Sequence, residues 1–166
     1  MMVNMLEKLF EHNNWANLGI IQFCSVLNDV QLDAAPQSAT KGSIRQTLRH
    51  LIAAQQRYLA YLSGTETEGS LPETPTFDEL RAAAFSCGEG LLAVARGEPD
   101  RYMGARIQTR SGSTVEAWVI VAQILNHAGE HREQICSMLT ALGLTPPDLD
   151  GWSYGEATGA LVPVTS

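Results

Sequence analysis

The chain has little positive charge and keeps it scattered. Among 166 residues, 11 are Lys or Arg against 18 Asp or Glu, a formal net charge of −7, and no basic run occurs. A polyanion would be repelled on average, so nucleic acid and an anionic membrane surface are disfavoured as partners. Long hydrophobic runs are also lacking: none approaches the ~20 residues that a bilayer requires. The opening MMVNMLEKLFEHNN has no basic region leading into an apolar core and a small-residue cleavage site, so it does not read as a secretory signal. Cysteine is sparse. Cys24, Cys87 and Cys136 are odd in number, far apart and never in a CxxC, which argues against a disulfide framework or a zinc–thiolate site. They read as small buried or half-buried residues in a reducing compartment, the cytoplasm. Also missing are a phosphate-binding glycine loop, a paired-carboxylate signature and a Ser-His-Asp arrangement by spacing.

What is present is enough apolar material for a core: 45% of the residues are hydrophobic, in a length that suits one domain over 1–166. Three helix starts are written as capping boxes, in Ser43-Ile-Arg-Gln46, Thr76-Phe-Asp-Glu79 and Ser113-Thr-Val-Glu116. In each, the hydroxyl can accept from a free backbone N–H and the Gln or Glu can reach back to the cap. Gly64, Gly97 and Gly143 follow apolar-periodic segments, and Pro146-Pro147 lie just beyond the last of them. These signals predict four helices over roughly 3–30, 43–63, 77–97 and 113–142.

The connections are long beside the usual helix–helix loop. Residues 65–76 read as a loop, residues 98–112 as a short strand pair or a loop, and the tail from about 146 as irregular, with Trp152 and Tyr154 packing on the body. Apolar residues at steps of three and four support each helix: Ile44, Leu48, Leu51, Tyr58 and Leu62 in the second, and Leu80, Ala84, Cys87, Leu91 and Val94 in the third. The architecture that fits is all-α, a four-helix bundle with long connections.

In the last helix Ile120, Ile124, His127, His131, Gln134, Ile135 and Met138 fall on one face. His127 and His131, in NHAGEH, are one turn apart, so both imidazoles project to the same side and can share a cation. Helical histidines at this spacing also occur as ordinary packing residues. His50 offers a third nitrogen if its helix neighbours the last one, and three imidazoles with waters make an open type of metal site. Periodicity does not place it there: His50 lies off the Leu48/Leu51/Tyr58 stripe, on the side of Thr47, Ala54 and Tyr61.

Three segments, His12-Asn-Asn-Trp-Ala-Asn17, Gly42-Ser-Ile-Arg-Gln-Thr-Leu-Arg-His-Leu51 and Asn126-His-Ala-Gly-Glu-His-Arg-Glu-Gln134, followed by Leu142-Gly-Leu-Thr-Pro-Pro147, carry a resemblance. In order and spacing they resemble the DinB/YfiT-like family of metal-dependent bundle proteins. The resemblance implies a four-helix bundle, often a homodimer, with a divalent metal ion on three histidines. Carried over residue by residue, the ligands are His50, His127 and His131, and the metal is zinc, nickel, iron or manganese. It further implies either a hydrolase, with a water acidified by the metal, or a thiol-dependent S-transferase or isomerase that uses a low-molecular-weight thiol. A non-catalytic metal-binding or stress-response bundle is the alternative.

Glu130 stands where many members carry His or Thr. It is a candidate catalytic base, a partner for a metal-bound water, or a solvated carboxylate. His12 falls where the family has no ligand and reads as a packing residue. Arg49 and Arg132 flank ligands and suit either a substrate carboxylate or surface ion pairs. Asn13, Trp15 and Asn17 suit a pocket mouth, core packing or hydrogen bonds between helices.

Overall fold

The structure is a computed structural model that describes residues 4–36, 41–65, 71–97 and 105–162. Four long helices dominate it: α1 (Met5–Cys24), α3 (Ile44–Ser63), α4 (Phe77–Arg96) and α5 (Ala117–Ala141). Two short helices, α2 (Asp29–Asp33) and α6 (Gly151–Ala157), and a hairpin of β1 (Arg106–Gln108) and β2 (Thr114–Glu116) complete the described elements. The chain is all-α apart from that hairpin. Around the bundle α1 packs on α4 and α5, and α3 packs on the same two helices, so α1 and α3 stand diagonally opposed. Among the described residues no helix is long and apolar enough to cross a membrane.

Local chemistry explains most of the boundaries. The Ser43 and Thr76 side chains accept from the backbone N–H groups of Gln46 and Glu79, and the Gln46 and Glu79 side chains close both capping boxes. At the far end of α3, Gly64 turns the chain with φ +67°, a conformation that glycine adopts without Cβ strain.

Two predicted helices need correction. The first does not run to residue 30. It stops at Cys24, and α2 restarts the helix behind Asn28, whose side chain accepts from Gln31 while Gln31 bonds back. Asn28-Asp-Val-Gln31 is itself a capping box, a local restart signal inside the predicted helix.

The last helix begins at Ala117 rather than 113. Ser113-Thr-Val-Glu116 is not a cap: its β-branched Thr114 and Val115 extend as β2, paired antiparallel with Gln108 and Ile107. Glu116 instead accepts from the Trp118 indole at 2.7 Å. The strand pair expected within 98–112 therefore lies further on, with one strand on each side of Gly112. Residues 66–70 of the predicted loop and 98–104 of the predicted connection lie outside the described residues. In the tail, α6 forms behind an Asp150 cap. Tyr154 packs there against Trp15 and His12, with ring centroids 5.4 and 5.5 Å away, whereas Trp152 is 72% exposed rather than packed.

The core is divided along its length. One apolar cluster holds Ile20, Ile21, Ile44, Leu48, Leu51, Ile135 and Leu139; the other holds Phe10, Leu62, Leu91, Ile120 and Ile124. Between them in sequence, on three of the four helices, sit five buried polar residues: Asn13 and Asn17 on α1, Gln55 on α3, His131 and Arg132 on α5. On α4 the matching height carries Cys87 and Gly88. A Cβ on Gly88 would collide with the Asn14 side chain, so this glycine allows α1 and α4 to approach.

Candidate metal centre

The α3–α5 contact answers the question that periodicity left open. His50 on α3 faces His127 and His131 on α5. The Nε2 atoms of His50 and His127 are 3.1 Å apart, as are those of His131 and His127. All three donor nitrogens lie within 4.8 Å of one another, a group that could hold a metal ion. His131 is buried, while His50 and His127 are half-buried, so the cluster has one inner and two outer members.

The donor chemistry fits a cation. Gln134, one turn beyond His131, places Oε1 at 2.9 Å from its Nδ1. An amide oxygen only accepts, so Nδ1 carries the hydrogen and the Nε2 lone pair points at the cluster. One hydrogen can bridge one pair of converging Nε2 atoms, and the remaining lone pairs then face each other. A shared cation relieves that opposition. Protons would not do so readily, because charging neighbouring imidazoles is unfavourable. His50 is pushed down to about 4 by burial first, then by His131, Lys41, Arg57 and Arg49. His127 is likewise pushed down to about 4, by burial first, then by His131, His50, Arg57 and Lys41. Neutral imidazole is the metal-binding form.

The Tyr58 ring stands edge-on to His127 at 5.7 Å, and the Arg57 guanidinium lies 5.8 Å from the Tyr58 ring centre. Periodicity marks Tyr58 only as a core residue and gives Gln134 no role. Gln134 shares the apolar stripe of α5 one turn from His131, and that position was the available signal.

The other candidate residues fall elsewhere. Glu130 is exposed, and its side chain makes no hydrogen bond or ion pair among the described residues. His12 joins none of the three: its Nε2 is 2.9 Å from the Leu149 carbonyl oxygen, tying α1 to the tail. Arg49 donates through Nε to the Pro72 carbonyl.

Arg132 is neither a surface ion-pair partner nor part of the cluster. It is buried, and its Nη1 donates to Asn13 Oδ1 at 3.0 Å and Asn17 Oδ1 at 2.6 Å. Both asparagines donate in turn to Gln55 Oε1. Asn13 and Asn17 thus bond between helices. Burial lowers the Arg132 guanidinium to about 10.

Comparison with curated proteins finds no match. Among solved structures the chain is similar to the crystal structure of a DinB-like protein from Bacillus cereus, with a TM-score of 0.64 and 14% identity over 85% of this chain and 93% of that one. At that identity the likeness speaks for the fold. Residues 1–162 match the DinB family, and the chain belongs to it.

Proposed function

We propose that this protein is a metal-dependent enzyme whose divalent ion is held by His50, His127 and His131. The observation that carries the reading is the convergence of three Nε2 atoms contributed by two helices, with the innermost imidazole fixed by Gln134. A divalent ion at such a site would acidify a water, for hydrolysis, or a thiol, for transfer or isomerisation.

The chain's own residues divide the remaining work. His131 is anchored from within, while the half-exposed His50 and His127 leave the outward side to substrate. Glu130 precedes His131, and its carboxylate, unpaired among the described residues, is our candidate proton acceptor. Replacing it by Gln would lower turnover by about 10²-fold with metal content kept, the range for losing a general base. In this reading the protein is a cytoplasmic homodimer acting on a small molecule, and zinc, nickel, iron and manganese all suit the ligand set.

Elemental analysis of untagged protein purified without chelator tests the core of it. About one metal ion per chain, absent from His127→Ala, supports the ligand set. A wild type that takes up none of the four metals, or a variant that keeps its full content, overturns it.

A further inference from the structure

The few cations of this acidic chain are not spread evenly. Lys8, Arg45, Arg81 and Arg96 each hold a carboxylate in an ion pair. Lys41, Arg49 and Arg57 hold none among the described residues, and all three are close enough to His50 to disfavour its protonation.

The helix geometry says what they face. Arg57 follows His50 by seven residues, two turns along the same side of α3 and about 10 Å along its axis. Side chains on a helix lean toward its N-terminus, so Arg57 leans toward the histidines. Its guanidinium lies over Tyr58, whose ring touches His127 edge-on. On that side the turn between His50 and Arg57 carries Ala53 and Ala54, so no long side chain of α3 stands between the two. On the other flank Arg49 is fixed through Nε to the Pro72 carbonyl, and its two terminal nitrogens have no partner among the described residues.

We propose that the histidine site takes an anionic ligand, a small carboxylate-bearing molecule whose charge is held by Arg57, with Arg49 as the second cation. Arg57 is then a specificity-determining residue. A guanidinium pairs with a planar carboxylate through two parallel bonds, a geometry that an uncharged amide does not reproduce. The inference rests on the metal reading above and adds the substrate class to it.

The test uses the full chain loaded with cobalt(II) and two probes of equal length: succinic monohydroxamate, with a free carboxylate, and the same molecule with that carboxylate as its amide. Binding is read from the visible spectrum of the cobalt and by calorimetry. The acid is expected to bind about tenfold tighter than the amide. Arg57→Gln should bring the ratio below about threefold with cobalt content unchanged, and Arg57→Lys should restore part of the preference. Equal binding of the two probes by a cobalt-loaded wild type overturns this inference alone, as does a preference that survives intact in both Arg57→Gln and Arg49→Gln. Failure to take up cobalt overturns the metal reading, and this inference with it.

Discussion

Two polar clusters interrupt the apolar core of this bundle, and they are built on opposite principles. The Arg132–Asn13–Asn17–Gln55 cluster sets donor against acceptor in every bond it makes: a guanidinium gives to two amide oxygens, and two amide nitrogens give to a third. The His50–His127–His131 cluster is like facing like, three ring nitrogens turned toward one point. A buried polar group that finds its partner within the chain specifies and rigidifies packing. A set whose lone pairs converge on one another asks for something from outside. Adjacent residues serve the two ends: His131 points into the second cluster and Arg132 into the first, so one turn of α5 is both binding element and strut.

The comparison breaks most directly at His127, the member within 3.1 Å of both other imidazoles. His127→Ala should weaken metal binding on the order of a thousandfold or more, since one of three protein ligands is gone. Competition against a chromophoric chelator measures it. The thermal midpoint of the metal-free variant should stay near that of the metal-free wild type.

Asn17→Ala should do the reverse. It removes the 2.6 Å acceptor of a buried guanidinium and a donor to Gln55, whose own Nε2 already lacks a partner among the described residues. The expected loss is about 3 kcal/mol in urea unfolding, because the partners left behind stay buried. Metal affinity should change little. If Asn17→Ala instead abolished metal binding while the chain stayed folded, the two clusters would be one.

Gln134→Ala sharpens the boundary between them. Without Oε1, the His131 ring loses what sets its tautomer and orientation. Metal affinity should drop about 10- to 100-fold, the usual effect of losing such a support. An unchanged affinity would mean that packing alone orients His131.

These differences also explain what was legible in the sequence. Capping boxes located α3 and α4 because the signal lies within four residues and needs nothing else. The same signal failed at Ser113-Thr-Val-Glu116, because β1, its pairing partner, lies across a turn and cannot be read from the motif. His127 and His131 were visible as a pair, being one turn apart on one stripe. His50 was not, since the packing of α3 on α5 is not encoded in the periodicity of either helix; the family resemblance supplied it. Arg132 read as a substrate-binding or surface charge because its partners, Asn13 and Asn17, are more than a hundred residues away, and nothing local pairs them with it until the two helices meet. The fold's elements were local and legible. The site's closure, and the strut beside it, were products of tertiary contact.

Acid should separate the clusters once more, by an effect that solvent screening around the half-buried rings reduces. In metal-free protein His50 and His127 are held near 4, against an ordinary 6.5 in the unfolded chain. Above pH 6.5 neither state binds the protons and the shift has no consequence. As pH falls from 6.5 toward 4, the unfolded chain takes up protons that the folded chain refuses, so stability is lost across that window and the loss levels off below it. The Arg132 network has no group that titrates there. The measurement is the urea midpoint of metal-free wild type against His50→Gln/His127→Gln, from pH 7 to 4. The wild type should lose more over this range, and the difference removes the carboxylates common to both. Parallel curves would mean that the imidazoles are hydrated in the metal-free state, and the contrast between a closed and an open cluster would then hold only for the metal.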